Sequence, residues 1–250
     1  MAAPTRYHGK NATIYANGYA IQTYLRKLKI SRKASNPEDT TIGATGSART
    51  RVEDGIVDAS IDYEGKFDDA SGAIDSQLNT ILNSAGIVWI MCPFGETAIG
   101  DIAYGMQGVE NSYQSDADNN NIVTFSGGSD GTAGDGDVAE RLTLLHILGA
   151  ETATGVESSH DNGASTTAGG SAYLEVTTSD TLTSLDVIIQ GSATNAWSGE
   201  ETTIATFTQV TSTPASERVE IAGTIPRYLR AKHTLTGTSV TYIMGVHRYV

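Results

Sequence analysis

The alternation of apolar and polar residues is clearest in residues 56–67. Successive side chains of a β-strand point to opposite faces, so a period of two predicts a strand with one buried face and one face in water. The apolar positions are Val57, Ala59, Ile61, Tyr63 and Phe67, and the polar ones are Asp58, Ser60, Asp62, Glu64 and Lys66. Because the polar face is mostly acidic, it must face water or a basic neighbouring strand.

The pattern before this strand predicts a hairpin and a basic strand. Asn17 and Gly18 separate two short apolar runs within residues 13–21, and Asn-Gly favours the positive φ angles of a tight primed turn. Residues 24–33 form the next predicted strand. One parity of this strand carries Lys27, Lys29, Ser31 and Lys33. If the basic strand pairs with residues 56–67, its lysines would offset the repulsion between the carboxylates.

A change of period predicts one α-helix over about residues 69–85. The apolar residues at helical spacing are Ile74, Leu78, Ile81 and Leu82. Acidic residues come early, and Gly86 can take the left-handed position after the helix. A single apolar stripe predicts that the helix covers one face of a sheet.

Short strands account for most of the remaining chain, so the predicted fold class is mainly β. Those of the first half are residues 87–94, 102–114, 122–126 and 138–148, and those of the second are 172–177, 183–190, 203–210, 217–222, 228–235 and 240–247. Residues 149–170 are rich in Gly, Ser and Thr, which is typical of a linker. We therefore predict an N-terminal β-sandwich or barrel domain, residues 1–152, and a small C-terminal antiparallel β-sandwich, residues 153–250.

Composition narrows the function classes. The chain has 250 residues and a formal net charge of -13, and an acidic surface repels the phosphate backbone, which excludes tight nucleic-acid binding. Cys92 is the single cysteine, so we expect no intrachain disulfide and a buried thiol. No apolar run approaches the roughly 20 residues that span a bilayer, and no secretory signal is found. We expect a protein with no membrane segment that folds in the cytosol.

No motif for catalysis, a metal or a cofactor is found. The five histidines show no metal-ligand spacing, and the hydrolase, zinc-protease and phosphate-loop motifs are missing. Asp58 and Asp62 could be the carboxylate pair of a glycosidase, but strand alternation explains them without a cleft. Residues 127–137 have the Gly and Asp content of a calcium repeat but occur once, so we expect a flexible hairpin tip there. We therefore predict a protein that is not an enzyme.

One long polar segment, residues 34–55, exceeds the length of an ordinary connection within a domain. Its mixed charges suit a loop that docks against another copy of the chain. The candidate contact residues are Glu38, Asp39, Arg49, Arg51, Glu53 and Asp54. Residues 1–11 carry no periodic pattern and are expected to form an arm that is ordered by docking.

The order of these elements resembles that of the major tail tube proteins of tailed bacteriophages. The resemblance covers about residues 10–150: the hairpin, the Tyr24-Leu25-Arg26 strand entry, the long loop, the acidic strand, the helix and the closing apolar strand. Residues 170–248, with Arg-Tyr-Leu-Arg-Ala at 227–231, resemble a β-sandwich module of phage tail and virion surface proteins.

The resemblance implies a structural virion protein of the tail, assembled in the host cytoplasm. Six copies would form a ring, and stacked rings would form the conduit for genome DNA. Asp58, Asp62 and Glu64 would face the bore, where an acidic wall repels DNA. The implied partners are the tape measure, tail terminator and distal tail proteins. Lys27, Lys29 and Lys33 depart from this expectation, because a bore that also exposes them would carry both signs of charge.

A second function remains open at this point, namely a carbohydrate- or cell-surface-binding virion protein without a tube role. Trp197, Tyr173 and Tyr228 could form an aromatic platform for a host-surface glycan on the C-terminal domain, although such residues also fill the cores of sandwiches.

Overall fold

The computed structural model describes residues 9–35, 56–70, 73–119, 121–131 and 139–249. One short 3₁₀ turn, Gly9–Asn11, precedes the first strand, and the single α-helix of these ranges, α1, is Ile74–Ile81. The strands are β1 Thr13–Ala16, β2 Tyr19–Ala20, β3 Leu25–Ser35, β4 Ile56–Lys66, β5 Ile87–Cys92, β6 Ile102–Asp116, β7 Thr124–Gly131, β8 Glu140–Glu151, β9 Gly155–Val156, β10 His160–Asp161, β11 Gly170–Asp180, β12 Ser184–Ser192, β13 Thr202–Thr206, β14 Ala215–Ile221, β15 Tyr228–Thr236 and β16 Ser239–Arg248. The mainly β class is confirmed. No helix in the described ranges is long and apolar enough to cross a membrane.

An 11-stranded antiparallel sheet forms most of the molecule. Its main path runs β14-β11-β16-β8-β6-β5-β1-β2, and a branch continues from β6 through β7 and β4 to β3. The branch is possible because β6 is long: its first half pairs with β5 and β8, and its second half pairs with β7. A second sheet of five strands contains β10, β15, β12, β13 and β9.

The first half has the predicted alternation and hairpin. Ala59, Ile61 and Tyr63 are buried on β4, where they join a core with Trp89 and with the apolar face of α1. Asn17 and Gly18 both have positive φ in the turn between β1 and β2, as the Asn-Gly signal predicts. Cys92 is buried as a free thiol.

Helix α1 ends earlier than predicted, at Ile81 instead of about residue 85. Leu82 leaves the helical conformation and forms an isolated bridge with Glu110 of β6. Asn83 follows with φ 59° and donates its backbone N–H to the Glu110 carbonyl at 2.7 Å. A tertiary hydrogen bond to β6 therefore replaces the last helical turn that the apolar spacing predicts.

The predicted boundary at residue 152 lies inside one continuous sheet. β8, the last strand before it, pairs with β16, the last strand of the chain. A shared core contains Leu142 and Leu144 from one side of the boundary and Tyr173 and Ile243 from the other. The backbone N–H of Gly18 also donates to the Glu175 carboxylate. The division into domains 1–152 and 153–250 stays a prediction about folding units, because the sheet itself has no break there.

The second half contains the predicted sandwich, but with one shared layer. Its six predicted strands correspond to β11 through β16, and the two-residue strands β9 and β10 are additional. The smaller sheet packs on β11, β14 and β16 of the larger one, with Val187, Ile189, Leu229, Tyr242 and Met244 among the buried residues between them. One layer of the sandwich is therefore an extension of the first-half sheet.

Glycines in β7 lie in a strand interior and not in the hairpin tip that the sequence predicts. Gly127 pairs with Tyr63, and a Cβ atom there would lie 2.3 Å from the Tyr63 hydroxyl oxygen. Any larger residue would collide with that ring. The Tyr63 hydroxyl donates to the buried carboxyl of Glu110, and burial raises the pKa of Glu110 to about 8. The rest of the predicted tip, residues 132–138, lies outside the described ranges.

Candidate functional site

A polar surface formed by β3, β4, β7 and the second half of β6 contains the predicted acidic residues. Asp58, Asp62 and Glu64 are exposed, whereas Ala59, Ile61 and Tyr63 between them are at most 2% exposed. The strands pair antiparallel, so residues directly opposite each other lie on the same face. We call this four-stranded surface the charged face.

Each predicted acidic residue lies opposite a lysine of β3. The pairs are Asp58 with Lys33, Asp62 with Lys29, and Glu64 with Lys27. The condition stated from the sequence, that the basic strand pairs with the acidic strand, is therefore met. Lys29 Nζ lies 3.3 Å from Asp62 Oδ2, with side chains 61% and 57% exposed. An ion pair so exposed adds at most about 1 kcal/mol to the free energy of unfolding. The two rows of charge therefore determine the electrostatics of this surface but contribute little to the stability of the fold.

The charged face carries both signs, unlike the acidic bore wall that the resemblance implies. A shallow groove of about 360 Å³ runs along it between Lys27, Lys29, Asp62 and Glu64. Uncharged residues of β7 and β6, namely Ser126, Gly127, Ser112 and Gln114, complete the lining of this groove. Facing rows of lysines and carboxylates thus lie beside strands that are mostly neutral on this face. The exceptions are Asp130, opposite Ser60, and Asp116, opposite Thr124.

Strand β3 leaves a long free edge at one side of the charged face. It spans 11 residues and, among the described strands, pairs only with β4. Its second edge therefore offers backbone N–H and C=O groups to another chain. The segment that follows β3 contains Glu38, Asp39, Arg49, Arg51, Glu53 and Asp54, and all six predicted contact residues lie outside the described ranges.

The aromatic platform that the sequence allows on the second half is not assembled. Tyr173 is fully buried in the shared core. The Arg230 guanidinium covers the Trp197 ring at 3.9 Å from its centroid, and Arg227 lies 5.0 Å from the centroid of Tyr228. The three rings therefore do not present one open surface to a sugar.

A cluster that the sequence does not predict lies where β8 ends. His146 of β8 lies beside Glu151 and Glu157, and the possible ligand atoms of the three lie within 4.8 Å of one another. The five- and six-residue spacings match no metal motif, and the chain has to turn after β8 to bring Glu157 back. The one sequence signal for this cluster is a histidine inside the apolar strand of residues 142–148.

No family model matches the chain, and no curated protein matches it. A chain of the virion of the native gene transfer agent particle is 18% identical with a TM-score of 0.42, and the match covers 52% of this chain and 96% of that one. The SPP1 Dit protein, described as a hub adsorption apparatus of phages that infect Gram-positive bacteria, is 9% identical with a TM-score of 0.39, over 96% of this chain and 99% of that one. A chain of the phage p2 baseplate is 9% identical with a TM-score of 0.34, over 96% and 98%. These neighbours are virion components, and at such scores they assign no function to this chain.

Proposed function

We propose that the protein is a structural, non-catalytic subunit of a phage tail tube. Copies form hexameric rings that stack into a conduit for genome DNA in the virion tail, after assembly in the host cytoplasm. The proposed partners are further copies of the chain and the tape measure, tail terminator and distal tail proteins. The observation that carries the proposal is a pair of strand edges at the borders of the charged face, neither of which has a partner among the described strands.

The two edges are complementary in direction. Three successive antiparallel pairings connect β3 to β6, so β3 and β6 run in opposite directions. At residues 111–116, β6 pairs only with β7 among the described strands. Copies related by rotation about an axis present β3 in the same direction, so β3 of one copy can pair antiparallel with the end of β6 in the next. Such head-to-tail contacts close into a ring, and a closed barrel leaves no free edges.

In this arrangement the charged face lines the bore. The opposite face of β4 packs on the core and cannot face a channel. Asp58, Asp62 and Glu64 would then be lumen-facing, each beside its lysine. A phosphate that approaches a lysine must displace a carboxylate that already neutralises it, so the gain from released counterions is small. We infer that paired charges, rather than a uniformly negative wall, keep DNA from adhering.

Assembly is tested with proline substitutions in two edge strands. Ser31→Pro interrupts β3 at the proposed ring contact, and Thr203→Pro interrupts β13, which borders the smaller sheet. We expect hollow six-fold rods from the parent and from Thr203→Pro in negative-stain images, and folded single subunits from Ser31→Pro, because proline disrupts the ladder of the contact strand. Circular dichroism checks that both variants keep their β content. A parent that stays monomeric at high concentration, or rings of another order, would contradict the proposal.

Removal of the carboxylates should convert the charged face into a DNA-binding surface. In the triple variant Asp58→Asn, Asp62→Asn and Glu64→Gln, the three lysines of β3 lose the carboxylates that lie opposite them, without any loss of packing. We expect duplex DNA binding by unassembled subunits at low salt, with a logarithmic salt slope of about -0.9 per phosphate neutralised. Fluorescence anisotropy of labelled duplex DNA, measured over a series of salt concentrations, gives the affinity and its salt slope.

The matched control neutralises the opposite row, with Lys27→Gln, Lys29→Gln and Lys33→Gln. This variant should bind no DNA at any salt concentration. If the two triple variants behave alike, the charges of this face do not govern contact with DNA.

A further inference from the structure

Three acceptor atoms converge beside the end of β8. His146 Nε2 lies 3.2 Å from Glu151 Oε1 and 3.5 Å from Glu157 Oε1. The His146 ring is fixed in place, because it is 2% exposed and stacks on Tyr242 with ring centroids 3.8 Å apart. The two carboxylates are partly exposed, at 29% and 26% of their side chains, so the cluster is reached from solvent.

A backbone carbonyl decides which nitrogen of His146 carries the hydrogen. Nδ1 lies 3.1 Å from the carbonyl oxygen of Tyr242, which can only accept a hydrogen bond. Nδ1 must therefore be the protonated nitrogen of the neutral ring, and the lone pair of Nε2 points at the carboxylates. Three groups of lone pairs in one place repel each other unless a cation lies between them.

A second histidine, His233, lies at the edge of the cluster. His233 Nε2 lies 2.8 Å from the carbonyl oxygen of Ala153, and its Nδ1 lies 2.9 Å from the Tyr242 hydroxyl. Both ring nitrogens thus have partners outside the cluster, and Nε2 also lies 3.6 Å from Glu151 Oε2.

We propose that His146 Nε2, Glu151 and Glu157 bind a divalent transition-metal ion, with Zn²⁺ as the best match. Tetrahedral bonds of about 2.0–2.1 Å place ligand atoms about 3.3 Å apart, and the two observed separations from Nε2 are 3.2 and 3.5 Å. The hydrogen bond from Nδ1 to a carbonyl is the orientation that metal-bound histidines usually have. A cavity of about 520 Å³ beside the cluster, lined by Ile99, Leu148 and Ser158, leaves room for water as the fourth ligand.

Such an ion would connect the end of β8 to the segment that follows β9. His146 and Glu151 belong to β8, whereas Glu157 follows β9, which pairs with β15 of the smaller sheet. The bound metal would hold the end of the larger sheet against the smaller sheet. This role is structural, and it does not depend on whether the copies assemble into a tube.

Zinc titration of the untagged, full-length chain tests the site. After dialysis against a chelator and then against chelator-free buffer, we expect calorimetry to give one Zn²⁺ per chain and melting curves to shift upward with Zn²⁺ but not with Mg²⁺. Glu157→Gln keeps the side-chain shape and removes one anionic ligand, so its Kd should rise by about 100-fold or more. Glu201→Gln, an exposed carboxylate in the same half of the chain, should bind zinc as the parent does.

Two results would overturn the site. The first is a parent chain that neither binds Zn²⁺ nor gains thermal stability from it, which would leave a proton as the cation between these groups. The second is equal zinc affinity in the parent and Glu157→Gln, which would place the ion elsewhere on the acidic surface.

Discussion

A chain that ends at residue 152 should fail to fold. Strand β8 would lose its pairing with β16 along Thr143–Glu151. Leu142 and Leu144 would lose Tyr173 and Ile243 from the shared core, and Leu145 would lose the core of the second half. Exposure of a large apolar side chain costs roughly 1.5–3 kcal/mol. Three such leucines therefore cost an amount comparable with the whole stability of a typical domain, about 5–15 kcal/mol.

The measurement is the soluble yield of fragment 1–152, followed by size-exclusion chromatography and circular dichroism. Co-expression of fragment 153–250 is the matched control, because it returns β11, β14 and β16 to the sheet without a covalent connection. We expect the fragment alone to aggregate and the pair to co-purify as one complex. A soluble fragment 1–152 with a cooperative unfolding transition would show that the first half is a separate domain.

Loss of Arg218 should destabilise the protein far more than loss of Arg227, although both pair with a carboxylate. Arg218 and Glu140 are 5% and 3% exposed in their side chains, with Nη2 3.5 Å from Oε1. Arg218→Met leaves the Glu140 charge buried with only hydroxyl donors, from Ser171, Tyr173 and Tyr249. Breaking a buried ion pair in this way typically costs about 3–5 kcal/mol. Chemical denaturation measures the free energy of unfolding.

Arg227 provides the matched exposed pair. Its two donor nitrogens each lie 2.6 Å from an oxygen of Asp161, but the side chains are 44% and 43% exposed. Arg227→Met should cost about 1 kcal/mol or less, because water replaces the lost partner. Adding Glu140→Gln to Arg218→Met should restore part of the lost stability, since the buried charge is then removed. Equal losses from the two arginine variants would show that burial does not set the strength of the Arg218 pair.

Much of the local structure could be predicted from the sequence, because it depends on neighbours along the chain. The alternation around Ile61 determines which face of β4 is buried, and Asn17-Gly18 determines the first turn. The facing rows of Lys29 and Asp62 were predicted conditionally, from the parity of two strands and their complementary charge. These features require only the period of a strand and the chemistry of a turn.

The tertiary structure alone decided which strands are neighbours, because period-two patterning fixes the faces of a strand but not its partners. It joined β8 to β16 across the polar segment that the composition marks as a boundary. The end of α1 depends on a hydrogen bond from the Asn83 backbone N–H to the Glu110 carbonyl. The glycine at position 127 is required because the Tyr63 ring lies directly over it. The tertiary structure also brought Glu157 to His146 and the carbonyl of Tyr242 to the other side of the same ring, 96 residues away along the chain. Contacts at such separations depend on the path of the whole chain, so no local pattern of residues encodes them.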